Sequence, residues 1–272
     1  MNDEKANLVP TSPVEWEEAF ESSSSNVTLQ QCHRLLEVAH LRYLLWILPA
    51  NSSVLEAGCG PGKYVYAFAF MGHKCIGLDF SYKILLQARK RAVDLPKLRA
   101  RTDWIHGTIL NLPIGPEMLD CHASFGVLEH FTKPQQKAIL SEAYRVLKPG
   151  GLLYLYVPNF WSAWTVRRQI RYWFRRMAPP HLVWQRNIRR SVLLKMCSEA
   201  GFDTEYIRSF DASGAFESLA PPSFLTRIVP TPMRVISTRA TAKLALWCDD
   251  QDILGYGLAY IGRRRFQQGK YS

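Results

Sequence analysis

The sequence has no CxxC pair and no Cys/His grouping at metal-ligand spacing; its six cysteines (Cys32, Cys59, Cys75, Cys121, Cys197 and Cys248) are scattered. That excludes a zinc-ribbon framework, and reduced thiols in an intracellular chain account for them without disulfides. Long apolar runs are missing too, since none approaches the roughly 20 residues that cross a bilayer. The opening MNDEKANLVP is polar and partly acidic, where a secretory signal has a basic start and an apolar stretch. The expectation is a cytoplasmic protein, in which the sequons Asn26-Val27-Thr28 and Asn51-Ser52-Ser53 carry no weight. Acid is lacking over one stretch in particular: residues 161–190 hold eight arginines and not one Asp or Glu. They supply most of the net charge of +11, leaving +3 for the rest, so the basic excess is local.

What is there is an ordinary globular composition. Hydrophobic residues make up 47% and charged residues 21% of 272, which excludes a disordered or fibrous chain and suffices for one α/β domain with insertions. Residues 1–28 read as a polar leader. Leu35, Leu36, Ala39, Tyr43 and Trp46 recur at helical spacing and predict one amphipathic helix over 29–48, stopped by Pro49. Short apolar runs and helical stretches then alternate. Strands are predicted at Ser53–Ala57, Lys74–Asp79, Asp103–His106 and Leu119–Phe125, with helices at Tyr64–Met71, Tyr82–Val93 and Gln135–Leu147. A strand at Leu152–Val157 follows the turn Lys148–Gly151, then come a helix at Ser191–Ala200 and strands at Asp203–Phe210 and near Ile253–Ile261. Such alternation signals parallel βαβ units.

The segment Val54-Leu55-Glu56-Ala57-Gly58-Cys59-Gly60-Pro61-Gly62-Lys63 runs from a strand through a glycine-rich turn into a helix. In a parallel sheet that turn lies at the carboxyl edge, where ligands bind. A dinucleotide loop wants a third glycine where this chain has Lys63. Glu56 instead places a carboxylate at the strand end, suited to a cationic amine. Asp79 lies 23 residues further on at the end of the second strand, where an acid accepts hydrogen bonds from ribose hydroxyls. Together they describe a site for an amino-acid nucleoside. The alternative is a tight βα turn that binds nothing, with Asp79 an ordinary helix cap.

With Val54–Gly62, Gly77-Leu78-Asp79-Phe80-Ser81, Ser124–Phe131 (SFGVLEHF) and Arg145–Gly151 (RVLKPGG) in order, the sequence resembles the class I S-adenosylmethionine-dependent methyltransferases, in particular the ubiquinone, menaquinone and small-molecule group. The resemblance covers residues 50–160 and resumes over Ser191–Phe202. It implies a Rossmann-like three-layer α/β sandwich with a mainly parallel seven-stranded sheet and helical insertions, with S-adenosylmethionine as cofactor. Residue by residue, it implies that Glu56, Ala57, Gly58, Cys59, Gly60 and Gly62 hold the methionine part and Asp79 the ribose. Phe80, Thr108 and Ile109 would lie against the adenine, and Phe125 and Gly126 beside the sulfonium. One position departs from the family pattern: Thr108 stands where an Asp is usual, and a hydroxyl is a weaker acceptor than a carboxylate.

Methyl transfer from a sulfonium needs positioning and exclusion of water more than a nucleophile. Where the acceptor is a hydroxyl or phenol, a base helps, and His130 beside Glu129 is the candidate; the alternative is that both only cap the loop. No metal is expected, because Gly126 stands where a ligand set would want another acid. His106 and His122 read as satisfied structural histidines, and His73 and His181 as surface or loop residues.

Within the basic insertion 161–190, Val166, Ile170, Trp173, Phe174 and Met177 fall on one arc of a helix, with Arg167, Arg168, Arg171, Arg175 and Arg176 opposite. Such a helix suits an anionic membrane surface, an RNA backbone, or simply a solvated face on a packed stripe. The domain reading is a leader (1–28) and a single methyltransferase domain (29–272). Within that domain the parts are the N-terminal helix (29–48), the cofactor core (50–160), the basic insertion (161–190) and the C-terminal part of the sheet with a second insertion (191–272). The expected function is methyl transfer to a small-molecule or lipid-linked acceptor, with peripheral membrane contact through 161–190. The alternatives are an RNA methyltransferase and a non-catalytic scaffold with this fold.

Overall fold

A computed structural model describes residues 17, 27–92, 95–160, 162, 188–210 and 257–266. Helices α1 (Leu29–Leu36) and α2 (Ala39–Ile47) precede β1 (Ser53–Ala57), α3 (Lys63–Phe70), β2 (Lys74–Asp79), α4 (Tyr82–Lys90), the single turn α5 (Pro96–Arg99) and β3 (Thr102–His106). There follow β4 (Leu119–Phe125), a 3-10 turn (Leu128–His130), α6 (Lys133–Val146), β5 (Leu147–Pro158), α7 (Arg190–Glu199), β6 (Phe202–Phe210) and β7 (Gly257–Arg264).

The seven strands lie in the order β3-β2-β1-β4-β5-β7-β6. β1 to β5 pair in parallel, and β7 is antiparallel to both of its neighbours, so β6 runs with the first five. This is the mainly parallel α/β sheet the sequence predicts. Strand order reverses between β1 and β4, which opens a crevice beyond their carboxyl ends. Both sheet faces are apolar, as parallel strands require. Val54, Cys121, Tyr154 and Ile261 pack with Leu41, Leu44, Val65 and Phe68 on one face; Leu55, Leu78, Leu155 and Tyr260 pack with Ile139, Leu140, Leu193 and Cys197 on the other.

Five features differ from the sequence reading. The predicted helix over 29–48 is two helices, broken at Glu37, which caps α1, and Val38, whose φ of −64° and ψ of 126° are extended. The halves have different partners, α1 packing on α3 and α2 on β6, and one straight helix could not meet both. The helix predicted to reach Val93 stops at Lys90, with α5 following behind Pro96, a residue suited to a first helical turn. The predicted turn Lys148–Gly151 lies inside β5 as a bulge: Leu119 faces Leu147 but Cys121 faces Leu152, and Gly150 takes a φ of 76°. His73, expected at the surface or in a loop, lies in the loop before β2 but is buried there, its Nδ1 lacking a partner among the described residues. His122, expected to be satisfied, is sealed in the sheet with neither ring nitrogen hydrogen-bonded among the described residues. His181, the basic helix and residues 253–256 of the last predicted strand lie outside the described residues.

His122 has a consequence for acid stability. Burial pushes its pKa down to about 4, from 6.5 in the unfolded chain. Between those values the unfolded chain binds a proton that the folded one refuses, so stability falls as pH drops through the window. His122→Leu is expected to remove a penalty of about 2 kcal/mol at pH 5. The check is thermal unfolding at pH 7 and pH 5, where the variant loses less than the parent; equal losses would contradict the assignment.

Candidate functional site

The glycine turn after β1 is built from backbone. Gly58, Gly60 and Gly62 have φ of 75°, 49° and 75°, in the left-handed region that glycine enters without penalty. The Gly58 and Cys59 N–H groups both donate to the Leu78 carbonyl, at 2.8 and 2.9 Å, tying the turn to β2. A Cβ on Gly62 would stand 2.4 Å from the Trp104 ring, so backbone and indole occupy the same space at the limit of packing. Gly62→Ala is expected to cost about 2–4 kcal/mol from left-handed strain plus overpacking, read as a lower midpoint of urea unfolding.

Two carboxylates flank this turn. Glu56 projects from β1, almost wholly buried, and accepts the Val65 N–H from the first turn of α3 at 2.7 Å. Burial raises its pKa to about 8, against the opposing pull of the Val65 hydrogen bond and of Lys63. Asp79 ends β2 and accepts the Gly60 N–H at 2.8 Å and the Ser81 N–H at 3.0 Å. Burial raises its pKa as well, opposed by those same bonds. Ser81 caps α4, accepting the Ile84 N–H at 3.3 Å and donating to Glu17 at 2.7 Å, so one residue of the predicted leader reaches this edge. Ala57 and Cys59 are buried beneath the turn.

Phe80, 38% exposed, stands at the rim, its carbonyl 3.0 Å from His106 Nε2. The loop after β3 is fastened beside it by the Gly107 N–H bond to the Asp79 carbonyl at 3.0 Å. There Thr108 is exposed and its hydroxyl accepts the Leu110 N–H at 3.2 Å. Ile109 instead turns into the core beside Leu78 and Leu112, so its side chain serves packing.

At the end of β4, Phe125 stacks on Tyr64 with centroids 3.7 Å apart. Gly126 follows with φ of 69°, its N–H donating to the Tyr156 carbonyl at 2.8 Å. The 3-10 turn then buries Glu129 and His130, with Glu129 Oε1 at 3.8 Å from His130 Nε2. Glu129 Oε2 is sealed with no hydrogen-bond partner among the described residues, and burial raises its pKa to about 8. The structure thus gathers Glu56, the glycine turn, Asp79, Phe80, Phe125, Gly126, Glu129 and His130 at the carboxyl ends of β1, β2 and β4.

Sequence reasoning passed over a group beside Phe125. His40, at the start of α2, lies 2.7 Å from the Tyr154 hydroxyl through Nδ1 and stacks on Tyr156 at 4.4 Å. Its ring centroid is 6.3 Å from those of Phe125 and Phe210, and 6.5 Å from that of Tyr64. A histidine on the apolar face of a predicted helix was the only local signal.

This edge suits a ligand that brings both cation and hydroxyl. The orphaned Glu129 oxygen and the two buried carboxylates beside a close-packed glycine turn are groups that an amino-acid nucleoside would satisfy.

Residues 54–151 match the family model of a methyltransferase domain. The chain is 30% identical over 156 residues to a Mycolicibacterium smegmatis protein named "Probable S-adenosylmethionine-dependent methyltransferase", covering 57% of this chain and 54% of the relative. It is 34% identical over 126 residues to a ubiquinone/menaquinone biosynthesis C-methyltransferase of Roseobacter denitrificans, covering 44% and 47%. The chain thus spans about half the length of the curated relatives it matches. Among solved structures, an S-adenosylmethionine-dependent methyltransferase of Methanosarcina mazei shares the fold with a TM-score of 0.57 at 16% identity, covering 83% of this chain and 98% of that one.

Proposed function

We propose that the chain, whose residues 54–151 match the family model of a methyltransferase domain, is a class I S-adenosylmethionine-dependent methyltransferase that transfers a methyl group from S-adenosylmethionine to a small-molecule or lipid-linked acceptor. The observation that carries the reading is the pair of buried carboxylates, Glu56 and Asp79, on either side of the glycine turn.

In this reading Glu56 faces the amino group of the methionine part and the turn Gly58–Gly62 lies along it. Asp79 takes the ribose hydroxyls with the lone pairs its two backbone bonds leave, and Phe80 and Thr108 border the adenine. When bound, S-adenosylmethionine supplies an electrophilic methyl on a positively charged sulfur. Phe125, stacked on Tyr64, walls that place with carbon and keeps water out. Glu129, with its pKa near 8, holds its proton at neutral pH and offers a hydrogen bond there. His130 Nε2 is the nearby proton acceptor for an acceptor hydroxyl. The arginines and aromatics of 161–190 support a lipid-linked acceptor with peripheral contact at an anionic membrane. No helix among the described residues is long and apolar enough to cross a membrane.

The test is calorimetric titration of the purified chain with S-adenosylhomocysteine, with NAD as control. Micromolar binding of the first and none of the second is expected; folded protein that binds neither would overturn the reading. For the acceptor, binding to anionic vesicles separates the lipid-linked case from RNA, whose binding would fall steeply with salt.

A further inference from the structure

A cavity of about 340 Å³ lies between α1, the first residue of α3 and Arg91, which caps α4. That is the lower end of the roughly 300–1,000 Å³ of small-molecule sites. Arg34, Lys63 and Arg91 line it together with Gln31, and the rest of its described lining is apolar. No Asp or Glu is among the described lining residues, and none of them belongs to the set read above as the donor site.

Each polar group here presents a donor. Arg91 is half-buried and fixed at both ends: its Nη1 donates to the Pro61 carbonyl at 3.0 Å, and its own carbonyl accepts the Val27 N–H at 2.9 Å. Burial pulls its pKa below the ordinary arginine value, a cost that an anion beside it offsets. Gln31 Oε1 accepts the Thr28 N–H at 2.9 Å in the capping box of α1, so the end left for a ligand is the donor NH₂. Arg34, in the last turn of α1, is exposed. The nearby acid Glu37 is taken by His33, at 3.3 Å. The Lys63 ammonium lies 4.7 Å over the Tyr64 ring.

Three cations and an amide donor on one cavity call for an anion with several acceptors. A carboxylate brings two oxygens and one charge. A phosphate monoester brings three strong acceptors and nearly two charges at pH 7, and a guanidinium grips it at two points. Phosphate alone would leave the apolar lining in water, whereas an ester covers it with carbon. We propose that this cavity binds a phosphate monoester carrying a small apolar group, the phosphate held by Arg34, Lys63, Arg91 and Gln31 and the carbon chain laid against Val27 and Leu35. A phosphatidic-acid headgroup and a free alkyl phosphate share that chemistry. The inference goes beyond methyl transfer and does not depend on it.

The experiment is calorimetric titration of the full chain with n-hexyl phosphate in Tris buffer. Inorganic phosphate, hexanoate and hexanol are the controls. The expected order is hexyl phosphate tightest, inorganic phosphate and hexanoate weaker, and hexanol not bound. Arg34→Glu is expected to lose about tenfold in hexyl phosphate affinity and Arg34→Lys much less. Circular dichroism and thermal unfolding show that the variants fold; should Arg34→Glu not fold, Lys63→Gln carries the same expectation. Undiminished binding by the folded variant would overturn the proposal, as would hexanol or hexanoate binding as tightly as the phosphate. Saturating S-adenosylhomocysteine is expected to leave hexyl phosphate bound, and displacement would place the ligand in the donor site and overturn a separate one. Vesicles of phosphatidylcholine and phosphatidic acid distinguish the sources. Binding to them that is lost in Arg34→Glu assigns the site to a lipid headgroup; hexyl phosphate bound without it assigns a free ester, and both support the site. Failure of S-adenosylhomocysteine to bind the parent chain sinks the methyl-transfer reading instead and leaves the hexyl phosphate titration intact.

Discussion

Asp79→Ala is expected to weaken S-adenosylhomocysteine binding by at least a hundredfold. The carboxylate holds two backbone donors at once, the Gly60 N–H at 2.8 Å and the Ser81 N–H at 3.0 Å. Hydrogen bonds to a charged group each contribute about 1.5–3 kcal/mol, and each orphaned buried donor costs a further 1–3 kcal/mol. Alanine therefore releases the middle of the glycine turn and removes the acceptor proposed for the ribose. Part of the loss is structural, and Asp79→Asn separates the parts. The amide oxygen can still take the Gly60 N–H, while its NH₂ faces the Ser81 N–H and offers donors where hydroxyls are to be accepted. That variant orphans one backbone donor, so it is expected to lose less stability than Asp79→Ala and still to bind more than tenfold more weakly. Calorimetry beside thermal unfolding reads both quantities, and parental affinity in Asp79→Ala would remove Asp79 from the site.

The second large effect is a pH dependence written by Glu56. With its pKa raised to about 8 by burial, the free chain holds a proton on this carboxyl at neutral pH. An ammonium group placed against it favours the ionised form, so binding expels that proton. Affinity for S-adenosylhomocysteine is expected to climb up to tenfold per pH unit between about 6 and 8, then to level off. The heat of binding at pH 7 should change with the ionisation enthalpy of the buffer. Glu56→Gln has no proton to expel: its affinity should be low, flat in pH and indifferent to buffer. A flat profile in the parent would mean that Glu56 is not the amine partner. The same group bears on stability in the opposite sense to His122: a carboxyl raised from 4.5 to about 8 is without penalty below 4.5 and destabilises as pH rises through 8.

The parallel sheet was legible in the sequence because its strands are apolar on both faces and each is closed by a turn signal. The placement of Glu56 and Asp79 at strand ends was legible for the same reason: each sits one or two residues from a glycine or helix cap that stops the strand. His40 was not legible. Its partner Tyr154 is 114 residues away, and on a helical wheel it reads as a polar residue on an apolar face. The break before it was hidden because the apolar spacing of Leu35, Leu36, Ala39 and Tyr43 continues through Glu37 and Val38; two different packing partners, not local propensity, decide the break. Lys148–Gly151 reads as a turn in the sequence because Pro-Gly-Gly is turn chemistry, and the cross-strand register shows that pairing with β4 begins before it. His122 misled because alternation places it on a strand but says nothing of whether its nitrogens find partners.

β7 is the last strand described along the chain, yet it lies between β5 and β6, and among the described residues β6 joins the rest of the sheet through it. On a ribosome, which delivers residues from the N-terminus at about 5–20 per second, the half that carries the glycine turn can close early. β1 to β5 pair among themselves without help from later residues. β5 meanwhile presents the open edge of Leu152–Pro158 until Gly257–Arg264 emerges, more than a hundred residues after β5 began. An apolar strand edge left waiting is a template for the wrong chain. The order of strands therefore leaves that edge exposed over the interval, and a chain ending before Gly257 is expected to keep it open and to aggregate while retaining the residues proposed for its donor site.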